Sequence, residues 1–354
     1  MVRPMVPAMG VPAGGSEGQA ASREQPVENE RFPAGRAHNP GMTTPITASS
    51  PGELLSLVPH LFGFHVDDSV VVLICRGTTV EVSLRFDYWM FDAPVAVRAR
   101  LLDLLDRFDD PKVFLVAYGH DREQADEALG ILETCVEPDL VLDSVVTDGE
   151  YWWSRLCDGD CCPPEGNPCD TATPAVAAAI VAGSQPLASR MELEGLVEGP
   201  SLLAQSMLLG DLVGVRARVT RSSRARRKRR MLALVRAYLD RPEGAALDAA
   251  DALELAVLAT DIGARDTAWL EMGMATARQH QTLWQQVVAS APDDVAVPAL
   301  CLMGVAAWLD GNGALLGMCI GRAERLDAGY SMLDVLKQIH GAAAPPTLWK
   351  QITA

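Results

Sequence analysis

The sequence predicts an α/β domain, a mixed sheet with flanking helices, followed by an all-α domain of helical hairpins. Three observations predict it. Two unbroken apolar runs of strand length, residues 70–75 (VVVLIC) and 113–118 (VFLVAY), read as strands buried on both faces. Stretches with helical periodicity and capping signals lie between the strand patterns, as they do where crossovers join strands. Beyond Asp170 the strand patterns cease and only apolar repeats at helical spacing remain. The chain divides accordingly into a tail over 1–41, an α/β domain over 42–170 and a helical domain over 171–354.

The tail is rich in Gly, Pro, Ala and Ser without a periodic apolar run, so it is expected to be disordered. Its Gly14-Gly15-Ser16-Glu17-Gly18 string matches a nucleophile elbow but lacks the strand before and the helix after that the motif needs. Met42 is an alternative start of the functional unit. Ser50-Pro51-Gly52-Glu53 has the spacing of a capping box with Pro at the first helical position. Leu54, Leu55, Val58 and Leu61 continue one apolar face from it. The run over 70–75 follows, then strict alternation from Val80 to Asp87, as in the half-exposed partner of a hairpin.

Asp92 and Pro94 open a helix whose Val97, Leu101, Leu104, Leu105 and Phe108 share a face. After the second buried strand, Asp121 to Gln124 has capping spacing for a helix that turns Ala125, Ala128, Leu129, Leu132, Cys135 and Val136 inward. Residues 140–146 form the next strand, and Asp148-Gly149 signals a hairpin into Tyr151-Trp152-Trp153. Buried strands joined by single helices imply right-handed crossovers between parallel neighbours, with antiparallel hairpins at each end. Beyond Asp170, helices are expected over 174–182, 224–239, 247–259, 267–289, 295–309, 314–326 and 331–339, joined by short turns.

Composition bounds the function. The chain has 354 residues, 49% of them hydrophobic, enough for a sizeable core and about two domains. A net charge of −16 opposes non-specific affinity for nucleic acid or anionic membranes. No apolar run reaches the roughly 18 residues of a membrane span, and the N-terminus lacks the order of a signal peptide. A cytoplasmic location follows as an expectation. There the eight cysteines read as core thiols, metal ligands or redox groups before a disulfide framework. The sequence has no GxxxxGK[ST], GxGxxG, HExxH or CxxC, so the usual signatures of Walker loops, dinucleotide sites, zincins and thioredoxin-type exchange are missing.

Several segments together resemble a known family. Thr44-Pro45-Ile46, Ser50-Pro51, Leu61-Phe62-Gly63-Phe64-His65, Asp68 to Leu73, Trp153-Ser154, Cys161 to Gly166 and Ala307-Trp308-Leu309-Asp310-Gly311-Asn312-Gly313 are similar to the actinobacterial family catalogued as domain of unknown function 4192. The resemblance covers nearly everything after Met42 and implies no activity, cofactor or catalytic residue. The chain departs from the family pattern at Val66, where proline is usual, and at Cys169. One hairpin, Ala306 to Leu326 with Tyr330 and Ser331, resembles a tetratricopeptide-type unit, although a solenoid needs about three such repeats.

Three clusters are candidate sites. Cys157, Cys161, Cys162 and Cys169 read as reduced thiols packed near the tryptophans, with four thiolates on zinc, or a redox thiol, as alternatives. Asp158 and Asp160 would raise the thiol pKa and oppose an activated thiolate. His60, His65, Asp67 and Asp68 precede a buried strand, where they either cap a turn or supply a base or a metal site. His120 stands at a strand end, where open α/β sheets place ligands. The third cluster is the basic run over 216–230, nine Lys or Arg with no acid, including Arg221, Arg224, Arg226, Arg227, Lys228, Arg229 and Arg230. It reads as a solvated helix start, with phosphate contact or an acidic partner as the alternative. The leading functional reading is a cytoplasmic interaction or regulatory protein, not an enzyme, whose helical half binds a protein partner in an exposed apolar groove, with binding lost when Trp308 or its neighbouring helix is altered. A metal- or thiol-dependent enzyme using the cysteine block and histidines, and a nucleic-acid binder using the basic run, are the alternatives.

Overall fold

The computed structural model describes residues 35–37, 46–48, 50–77, 79–157, 163–242 and 244–352. Most of the expected tail, with its GxSxG string, lies outside them. The strands are β1 (Gly35–Ala37), β2 (Ile46–Ala48), β3 (Ser69–Arg76), β4 (Thr79–Asp87), β5 (Lys112–Tyr118), β6 (Val141–Thr147), β7 (Tyr151–Ser154) and β8 (Asn167–Pro168). They form one sheet in the order 2-1-4-3-5-6-7-8. The three residues of β1, inside the stretch expected to be a tail, pair with β2 and run parallel to β4.

One pairing differs from expectation. The helix after β4 does not return the chain beside it; β5 pairs antiparallel with β3, which separates it from β4. Burial decides this. Residues 69–75 of β3 are all buried, whereas β4 alternates, so the doubly apolar strands take the centre and the half-polar one lies further out. The second crossover behaves as expected, with β6 parallel to β5, and the Asp148-Gly149 turn leads into antiparallel β7.

Helices α1 (Pro51–Phe62), α2 (Val95–Leu105) and α3 (Arg122–Glu133) divide between the faces of the sheet. Val70, Val72 and Ile74 of β3 and Val113, Leu115 and Ala117 of β5 pack with α2 and α3. The alternate residues Val71, Leu73, Phe114 and Val116 join α1 in a second core, which continues without a break into the helical half. That half holds α4 (Pro174–Val181), α5 (Arg190–Gly195), α6 (Leu202–Arg221), α7 (Arg224–Leu239), α8 (Ala249–Ala259), α9 (Ile262–Leu270), α10 (Ala277–Ser290), α11 (Asp293–Leu309), α12 (Gly313–Asp327), α13 (Ser331–Gly341) and α14 (Trp349–Ile352). The fold is therefore α/β followed by all-α. Every residue of α11 from Val295 to Leu309 is buried, making it the central helix of this half.

The helix expected over 267–289 is two helices. Glycine at 273 disfavours helix, and Thr276 Oγ1 lies 3.2 Å from the Gly273 carbonyl in the turn between α9 and α10. Helices α5 and α6 were not foreseen. In α6 the apolar residues surround the axis, leaving no single stripe for periodicity to find.

Caps and cross-links fix the ends. Ser50 accepts from the Glu53 amide at 3.2 Å, Asp121 from Gln124 at 3.1 Å and Asn312 from Leu315 at 2.9 Å. Arg100 and Arg107, from α2 and just after it, donate to the carbonyls of His340, Gly341 and Ala342 at the C-terminus of α13. Cations satisfy terminal carbonyls and complement the helix dipole there. Arg190 bonds both carboxylate oxygens of Asp87 at 3.1 Å, tying α5 to the end of β4.

Candidate functional site

Helix α1 ends where Gly63 takes a left-handed conformation, φ 77°, and its amide bonds the Pro59 carbonyl at 2.8 Å. That turn sends the next residues across to the helical half. The His65 amide donates to the Leu187 carbonyl at 2.9 Å and the Leu187 amide to the Gly63 carbonyl at 2.8 Å. One turn back on α1, half-buried His60 places Nδ1 3.0 Å from Ser184 Oγ. Burial first, then the nearby His65, lowers the His60 pKa, so the ring is neutral near pH 7.

The turn between α11 and α12 closes the same junction. A Cβ on Gly63 would stand 3.5 Å from Asn312 Nδ2, and Arg278 lies between the Asp310 carboxylate at 3.8 Å and the Gly183 carbonyl at 3.4 Å. The FGFH and WLDGNG strings, far apart in sequence, thus meet around His60 and Ser184. Sequence reasoning missed Ser184 and Arg278; neither has a local signal, and only those two strings marked the place. Chemically the pair is an imidazole on a hydroxyl, the first two members of a nucleophilic relay. The group that perturbs the imidazole is another histidine, not a carboxylate that would orient and charge it.

The four residues proposed together do not converge. His65, Asp67 and Asp68 are exposed, and Asp68, with φ 34°, turns toward the opposite strand end. A Cβ on Gly119 would stand 3.4 Å from its Oδ1. Tyr88 donates to the Tyr118 carbonyl at 3.0 Å there, and burial followed by the charges of Asp68 and Asp121 pushes its phenol up to about 12. His120 is exposed at this end of β5.

In the cysteine block, Cys161 and Cys162 lie outside the described residues. Cys157 is disulfide-bonded, not reduced, and a sulfur so engaged offers no thiolate to a metal. Cys169 is half-buried, 3.5 Å from Thr147 Oγ1, and its pKa is raised by burial, against a lowering by Thr147. Among the described residues no group of three or more His, Cys, Asp or Glu is arranged to hold a metal. Aromatic packing holds the loop instead. Trp153 donates to the Pro164 carbonyl at 3.2 Å and carries the Arg122 guanidinium 3.6 Å over its ring. The other described thiols are core groups: burial pushes Cys75 and Cys301 up to about 12.

The basic run spans the end of α6 and the start of α7. Arg216 pairs with Asp294 at 2.8 Å, Arg227 with Asp261 at 2.9 Å and Arg230 with Glu254 at 2.7 Å. Arg221, Arg224, Arg226, Lys228 and Arg229 are exposed, the stems of Arg224 and Lys228 lying over Gly263. An open depression of about 380 Å³, lined by Thr260, Asp293, Asp294, Asp327 and Tyr330 among others, includes none of the predicted site residues in its walls.

Trp308 is buried, with Nε1 on the Ala344 carbonyl at 2.6 Å, and meets Trp349 edge to face, so it offers no partner surface. Exposed apolar side chains concentrate on α6: Leu202 (80%), Leu203 (74%), Met207 (78%), Leu209 (57%) and Val213 (65%). No described helix is long and apolar enough to cross a membrane.

A mixed sheet whose one face shares its core with the helical half defines a protein that is α/β followed by all-α. Residues 51–347 match the family described as Domain of unknown function (DUF4192), and the chain belongs to it. No curated protein and no solved structure gives a significant match.

Proposed function

We propose that this chain is a cytoplasmic, non-enzymatic interaction protein, in which the α/β domain supports a helical domain that binds a protein partner through α6. The open face of α6 carries the reading. Five large apolar side chains on one 20-residue helix are each more than half exposed, and apolar side chains gathered in the open are a mark of interaction sites. Cys169 lends less to thiol chemistry, since burial holds its thiol protonated.

The test is photo-crosslinking in cells from an unnatural residue at Met207, with exposed Asp240, away from α6, as control. A discrete crosslinked species from position 207, absent from position 240, is expected. A uniform smear or no product from position 207 refutes the reading.

A further inference from the structure

We propose that the partner of α6 is a second copy of this chain, paired antiparallel about a twofold axis; the inference rests on reading α6 as a contact face. At about 100° per residue, Leu202, Leu209 and Val213 form one edge of the exposed face and Leu203, Met207 and Gly214 the other, with Ser206, Gly210 and Ala217 along the middle. The strip is about 160° wide. A Cβ on Gly210 would meet no heavy atom within 4 Å, so the centre of the strip is an open groove between apolar ridges. Ridges beside a groove of small residues are what a second helix needs for close approach. The opposite side is anchored: Leu212 and Val215 are buried, and Gln205 exchanges bonds of 3.1 and 3.2 Å with Asp293.

Charge identifies the occupant. The residues leading into α6 include exposed Glu192, Glu194 and Glu198, while its last turns carry exposed Arg218 and Arg221. Among the described residues, neither Glu198 nor either of these arginines makes an ion pair. A surface acidic at one end and basic at the other is complementary to itself when reversed, and reversal also opposes the two helix dipoles. A parallel copy would set like charges together.

The apolar strip is centred near residue 208. A twofold axis there sets Leu203 level with Val213, Met207 with Leu209 and Ser206 with Gly210, and brings Glu198, just ahead of one helix, to the end that carries Arg218 of the other. A helix of this length spans about 30 Å, so the pair covers less than the ~800 Å² per partner of a standard interface. The dimer is therefore expected to be micromolar, exchanging freely with monomer.

Sedimentation of the full chain over about 1 to 200 µM tests this. The mass should rise from one chain to two, and Met207→Glu should hold it at one with an unchanged far-ultraviolet spectrum. Arg218→Glu should weaken the dimer roughly tenfold, and Glu198→Arg in the same chain should restore it, because each reversal acts at two symmetric pairs. A wild-type chain that stays monomeric at the highest concentration overturns the proposal, as does a Met207→Glu chain that dimerises normally. Failure of Glu198→Arg to restore the dimer overturns the antiparallel register. Binding of monomer to anionic phospholipid vesicles, lost in Met207→Glu, overturns it in favour of a membrane. If the wild type is monomeric yet position 207 crosslinks in cells to a chain of another mass, the second-copy inference fails and the interaction reading stands.

Discussion

Replacing His280 by phenylalanine should flatten the acid limb of the stability profile. His280 lies in α10 with no exposed surface. Burial pushes its pKa from the usual 6.5 down to about 4, offset in part by the backbone and charge of Glu271. The unfolded chain therefore binds a proton more readily than the folded one between these values. Stability is complete above about pH 6.5 and is lost as pH falls toward 4. At about 1.36 kcal/mol per pH unit, the wild type should lose ~2.5 kcal/mol between about pH 7.5 and 4.5 that the variant keeps. His60 and His340 shift in the same direction but are common to both proteins, so they cancel in the difference. Urea unfolding followed by tryptophan fluorescence at several pH values measures it. Parallel loss of stability in the two proteins over this window would show that the buried ring does not resist protonation, and the reasoning would fail.

Other perturbations follow from the same contacts. Arg322 is 8% exposed, with Nη2 on Asp293 at 2.9 Å and Nη1 on the Val197 carbonyl. Arg322→Met should cost about 2–3 kcal/mol in denaturant unfolding, discounted from a fully buried pair because Asp293 is half-exposed. Gly166 has φ 88°, and a Cβ there would stand 2.5 Å from the Trp153 ring; Gly166→Ala should destabilise by at least ~2 kcal/mol and alter the near-ultraviolet dichroism of that tryptophan. Ser50→Ala removes the cap of α1 and should lower stability by about 1 kcal/mol, with Ser50→Asp neutral; equal losses in both would show that the cap contributes little.

The legible parts of the fold were those written in short range. The doubly apolar runs at 70–75 and 113–118 declared central strands, and the capping residues Ser50 and Asp121 marked helix starts that the structure keeps. Helix α6 was illegible because periodicity detects contrast between faces, and a helix with apolar residues on both sides has none. Which side of it stays open is a property of its neighbours and not of its own residues. The candidate site was half legible. The histidine before the buried strand was visible, but its partner Ser184 is 124 positions away and sits in a plain loop.

Composition, strand and helix type, caps and turn positions were set by the sequence itself, since each depends on residues within a few positions of one another. Tertiary structure alone decided that β5 would lie against β3, that one core would run from the sheet into the helical half, and that Trp308 would be buried while α6 stayed open. These outcomes depend on competition among distant apolar surfaces for the same interior. Burial is shared out by the whole chain at once, and no local pattern records the result.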